Sequence, residues 1–138
     1  MSGRTQAVYY RDANGNEPVW QFVRGLAATR PSAADKIQGL IDEHLNNQPT
    51  DSPPPAFPIS SQVDGELREL RVRFGRTRYR VLYRRSTQLV VLLHVFEKNT
   101  GAIPTADIAL AKTRFDDFKA RMDANPRRPP RAAGRDAP

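Results

Sequence analysis

Cysteine is absent from the 138-residue chain. That excludes disulfides, thiolate nucleophiles, cysteine-type zinc sites and iron–sulfur clusters. Histidine is scarce: the 2 copies are His44 and His94. The first falls on a predicted helix and the second on a predicted buried strand. Neither has a carboxylate at ligand spacing, so no metal site is expected. Long apolar runs are also missing. The longest, residues 89–93, falls far short of the roughly 20 residues of a membrane-spanning helix. The first residues contain no apolar segment of the secretory type, so a cytoplasmic location without membrane contact is expected. There is no phosphate-binding loop, dinucleotide glycine fingerprint or nucleophile elbow, and no cofactor is expected.

What the chain has in excess is arginine. The net charge is +7, unevenly spread. Residues 1–67 hold five basic and eight acidic side chains, and residues 86–125 hold five of each. Residues 68–85 hold eight arginines and one glutamate, and residues 126–138 hold four arginines and one aspartate. The positive charge therefore sits in one short internal segment and in the C-terminal stretch.

Residues 7–10 form a β-branched and aromatic run, read as a strand, ended by the turn signal Asp12-Ala13-Asn14-Gly15-Asn16. A helix is predicted from residue 17, with Asn16 as N-cap and Pro18 in the first turn. Val19, Phe22, Val23 and Leu26 make its apolar stripe, with Trp20 just off it, and Arg30-Pro31 ends it. Ser32 is the expected cap of a second helix, with Asp35 at the capping-box position. Ile37, Leu40, Ile41 and Leu45 form its stripe. Residues 48–60 hold five prolines and are read as an extended connector rather than a strand. Three strands follow at residues 66–74, 77–84 and 89–96, the last so uniformly apolar that it should be central. A final helix starts at Pro104 or Thr105, with Ile108, Ala111, Phe115, Phe118 and Met122 as its buried stripe. The expected fold is α+β, in the order β-α-α-β-β-β-α: an antiparallel sheet with the N-terminal helix pair packed on one face. Residues 1–125 are expected to form a single domain, and residues 126–138 a disordered basic tail.

The arginine-rich hairpin is the one feature that folding does not require, since like charges facing each other across strands destabilise a sheet. Alternation puts Arg71 and Arg73 on one face of their strand, and Arg78, Arg80 and Arg84 on one face of the next. Paired as a hairpin, the two sets line a single cationic face suited to phosphate oxygens. Tyr79 and Tyr83 have the opposite parity and are expected in the core. Arg80→Ala is expected to leave the fold intact, the strand arginine being taken as half-exposed.

The stretch Asp64-Gly65-Glu66-Leu67-Arg68-Glu69-Leu70-Arg71 is followed by Tyr79-Arg80-Val81-Leu82-Tyr83 and by Val91-Leu92-Leu93-His94-Val95-Phe96-Glu97-Lys98. Then come Ile103-Pro104 and a helix with Asp107-Ile108-Ala109 and Ala111. In combination these resemble the phage-derived Gp49-like, HigB-type branch of the RelE/ParE toxin superfamily, over about residues 7–122. The resemblance implies a RelE-like fold and the toxin of a type II toxin–antitoxin system. It further implies a small, metal-independent endoribonuclease that cuts mRNA on the ribosome, inhibits translation and is neutralised by a cognate helix-turn-helix antitoxin. By matching positions, Arg71 takes the basic second-strand position, Arg80 the arginine of the Y-R-V-L-Y strand and Lys98 the first lysine of a K-K pair. Asn99 stands where the second lysine would be, and Arg68 where the family carries tryptophan. The expected catalytic set is therefore Arg71, Arg73, Arg80 and Lys98, with Arg68, Arg76, Arg78, Arg84 and Asn99 as RNA contacts. The general base is not identified. Two other functions suit the same residues: a ParE-like gyrase inhibitor and a non-catalytic nucleic-acid-binding module. Trp20, off the core stripe of the helix pair, is the expected anchor for the antitoxin.

Overall fold

The computed structural model describes residues 3–98, 101–123 and 130–135. The elements run β1 (Gln6–Tyr9), α1 (Pro18–Thr29), α2 (Pro31–His44), β2 (Ser60–Asp64), β3 (Leu67–Phe74), β4 (Thr77–Ser86), β5 (Leu89–Glu97) and α3 (Thr105–Asp123). They build one five-stranded sheet in the order β1-β5-β4-β3-β2. β2 to β5 are antiparallel neighbours, whereas β1 runs parallel to β5. The sheet is thus mixed rather than wholly antiparallel. The chain reaches β5 from β1 only after both helices and three strands, and a crossover of that length permits parallel pairing.

Each of the first two helices begins on proline, Pro18 and Pro31. A proline at the first helical position has its φ preset and lacks an N–H that would have no partner there. No side chain caps either helix. Asn16 and Ser32 therefore do not cap; Ser32 lies inside α2, and Arg30 alone separates the two helices. The carboxylate of Asp12 instead accepts the backbone N–H groups of Asn14 and Asn16 and fixes the turn before α1.

The strand β2 begins at Ser60, where the stretch read as connector ends, and was not expected. The prolines end at Pro58, and Ser60–Asp64 pairs with β3 as an edge strand. Its partner registers include Ser60 with Leu70 and Gln62 with Arg68.

Alternation along the strands sends side chains to two cores. Val19, Val23, Ile37 and Ile41 of the helix pair pack on Leu70, Val72, Tyr79, Val81, Tyr83 and Leu92. On the opposite face, Ala111, Phe115 and Phe118 of α3 pack on Val8, Leu67, Leu82, Val91 and Leu93. The helices thus cover both faces, the pair on one and α3 on the other. A register shift after Leu82 makes Leu93 an extra residue in β5, so Phe96 shares the α3 face with Val91 and Leu93 despite its opposite parity.

Residues expected to be part of a disordered tail are docked. Ala132 bridges to Val8 along the free edge of β1, the Tyr9 N–H donates to Arg131 O, and the Ala133 N–H donates to Ala7 O. Ala133 is buried. Arg131 ion-pairs with Glu17 at 3.1 Å, and Arg135 with Asp35 at 3.2 Å. Gly134 has φ +124°, and a Cβ there would collide with the Asp42 carboxylate. Short backbone pairing at an edge, plus ion pairs to the acidic helix surface, supplies what the apolar pattern of the tail does not.

Candidate functional site

The β3–β4 hairpin sets Arg71 opposite Arg80 and Arg73 opposite Arg78. β5 extends both rows: Phe96 lies opposite Arg80, and the Lys98 N–H donates to Arg78 O at 2.8 Å. One sheet face therefore carries Arg73, Arg78 and Lys98 in a row, with Arg71, Arg80 and Phe96 in the next. α3 covers this face over Leu67, Leu82 and Val91. Past its reach the face is open, and Pro58, Arg71, Val72, Arg73, Arg78 and Arg80 line a cleft of about 290 Å³.

Paired with two of the cleft arginines is an acid that the sequence reading did not single out. Glu69 is 6% exposed and Arg80 3% exposed. Arg80 Nε is 2.7 Å from Glu69 Oε1 without the alignment of a hydrogen bond, so the contact is chiefly one of charge. Arg71 Nη1 donates to the same oxygen at 3.4 Å, and Arg80 Nη1 donates to Tyr79 O at 3.1 Å. Burial, and then the neighbouring Arg71, push the Arg80 guanidinium below its ordinary pKa. One carboxylate thus holds two guanidiniums side by side. The signal in the sequence was parity: Glu69 alternates with Arg71 and Arg73 and is the one acid among eight arginines of residues 68–85.

The other expected residues separate. Arg73, Arg78 and Arg76 are exposed at the hairpin end; among the described residues none has a carboxylate partner, nor does Lys98. Arg68 has the parity of Leu70 and Val72, so it faces away from the cleft. It donates to Pro55 O at 2.9 Å and Ser60 Oγ at 3.3 Å, tying down the connector. Arg84 is on the face of the cleft but under α3, its guanidinium 4.2 Å from the Phe115 ring centre and paired with Glu66 at 2.7 Å. These two arginines support the fold instead of the open cationic surface. Asn99 lies outside the described residues. Tyr79 and Tyr83 are in the core, at 0% and 2% exposure.

His94 is occupied on both ring nitrogens. Nε2 is 2.7 Å from Asp107 Oδ1, and Nδ1 faces Arg114 Nη1 at 3.4 Å. These partners fix the tautomer with Nε2–H donating and Nδ1 accepting. The ring stacks on Phe96 at 5.3 Å. It joins β5 to α3 and leaves no nitrogen free to carry a proton for substrate. Among the described residues no three His, Asp or Glu side chains converge as a metal site would need, and no helix is long and apolar enough to cross a membrane.

Trp20 is partly buried against the helix-pair core. The guanidiniums of Arg131 and Arg24 lie 4.4 and 5.0 Å from its ring centre. Arg131 of the docked C-terminal residues therefore lies over the side chain expected to anchor a partner.

The sequence model of a family described as phage-derived protein Gp49-like (DUF891) matches residues 26–116. That span runs from the end of α1 into α3 and contains the whole cleft. No curated protein matches the chain.

Proposed function

From the fact that this chain belongs to the phage-derived Gp49-like family, whose members are RelE/HigB-type toxins, we propose that it is a ribosome-dependent mRNA endoribonuclease held in check by a cognate antitoxin. The single observation that carries this reading is the open face in which Arg71 and Arg80 share the buried Glu69 while Arg73, Arg78 and Lys98 line the next row.

RNA cleavage by the neighbouring 2′-hydroxyl forms a cyclic phosphate and expels the 5′-oxygen, which must take up a proton. Negative charge grows on the phosphate oxygens between these events, and fixed cations stabilise it. In this reading Arg80 and Arg71 receive the non-bridging oxygens. Glu69 presets both forks, so little reorganisation is needed when substrate arrives. Arg73 and Arg78 take flanking phosphates. Lys98, at the edge of the cleft, contacts the phosphate or the leaving oxygen. The site offers strong charge stabilisation and no free imidazole for proton transfer. That combination suits an enzyme whose substrate is positioned by the ribosome.

The test is expression without a partner. Growth should stop with rapid loss of mRNA, and Arg73→Ala or Lys98→Ala should relieve the arrest at unchanged protein level. An SOS response with intact mRNA would overturn the nuclease reading in favour of gyrase inhibition.

A further inference from the structure

The connector between α2 and β2 places one large apolar side chain in solvent. Phe57 is 69% exposed, more than Phe74 at 40% or Leu110 at 37%. Its position relative to the cleft gives that exposure a use. Pro58, the next residue, lines the cleft with Arg71, Arg73, Arg78 and Arg80. The Arg71 N–H donates to Ile59 O at 2.8 Å, which anchors the connector beside the arginine rows. The Arg71 guanidinium lies 4.9 Å from the centre of the Phe57 ring and is itself held by Glu69. One face of the ring is thus backed by a cation fixed from below. Hydrophobic burial does not explain this arrangement, because the ring remains mostly in water.

We propose that Phe57 is a stacking platform for a base of single-stranded RNA, next to the phosphate bound by Arg71 and Arg80. The inference rests on the reading of the cleft as an RNA site and adds a base contact to its phosphate contacts. An aromatic face accepts any base, and a guanidinium beside it adds cation–π attraction. A duplex keeps its bases stacked internally and cannot offer one to the ring. The platform therefore selects unpaired RNA, and it sets which nucleotide lies beside the cleavage point.

The test compares two short 2′-O-methyl RNA oligonucleotides, which cannot be cleaved by their own 2′-oxygens. One carries bases throughout, and the other has abasic positions at its centre with the phosphates retained. The wild-type chain should bind the first about tenfold more tightly. Phe57→Ala should remove that preference and leave affinity for the abasic strand unchanged. Phe57→Trp should keep the preference, and its added indole emission should be quenched by the base-bearing strand alone. Arg80→Lys should weaken both strands alike. If Phe57→Ala weakens both strands equally, or neither, the stacking role is wrong even though the cleft still binds RNA. If neither the wild-type chain nor Arg80→Lys shows phosphate-dependent binding, the RNA reading of the cleft fails with it.

Discussion

Arg80 shows how a single side chain can be placed correctly on a face and still be misjudged in energy. Alternation puts it beside Arg71, and the register agrees. Its burial depends on Glu69, which only the folded hairpin brings beneath it. Arg80→Ala is thus not a fold-neutral test of function. It leaves a buried carboxylate short of its closest cation, and removing one partner of a buried pair costs about 3–5 kcal/mol. Urea unfolding should show that loss, and a double replacement of Glu69 and Arg80 by apolar residues should recover much of it. Additive losses in the double variant would mean that the two groups do not act as a pair. Arg73→Ala, at the exposed hairpin end, should change stability by less than about 0.5 kcal/mol. Tyr10 gives a pH dependence at the same scale. Burial, with the hydrogen bond to Asp117, raises its phenol from 10.0 to about 12. A raised folded value stabilises the fold below the unfolded value, and that contribution is lost as pH rises through the folded one. Stability should therefore decline between about pH 10 and 12, and Tyr10→Phe should flatten the decline in a pH series of urea midpoints.

Among the elements, those with internal periodicity were legible and those fixed by a neighbour were not. The apolar stripes gave α1, α2 and α3, and the uniform run of β5 gave its place inside the sheet, between β1 and β4. β2 has no such pattern. It exists because β3 offers it an edge, and the prolines just before it conceal that pairing. The same holds for residues 131–133, whose composition reads as disorder although β1 supplies two backbone hydrogen bonds. The parallel direction of β1 depends on a long crossover that no local window contains. The docked tail makes a prediction of its own. Deleting residues 130–138 removes those bonds, takes Arg131 off Trp20 and opens the β1 edge at Ala7 O and Tyr9 N–H. An uncovered edge is a site of strand addition. The shortened chain should lose roughly 1–3 kcal/mol and self-associate more in sedimentation. Unchanged stability and size would show that the tail contributes nothing to the edge.

In the whole molecule, charge is segregated: an acidic N-terminal half receives the tail arginines, and the sheet face keeps its cations open. Composition alone showed the segregation, but it could not show that Arg68 and Arg84 are used by the fold. The free set is thus smaller than the count of eight arginines in residues 68–85 suggests. If three or four phosphates are engaged, log affinity for single-stranded RNA should fall with log salt at a slope of about −2 to −3, and Arg73→Ala should make that slope shallower. The central claim is that this face cleaves message on the ribosome, and ribosomes programmed with a defined mRNA test it most directly. The purified chain should produce a discrete cut in the message only when ribosomes are present, and Arg73→Ala and Lys98→Ala should each lower the rate without loss of folded protein. A message left intact on programmed ribosomes, or cut equally by wild type and both variants, would contradict the account.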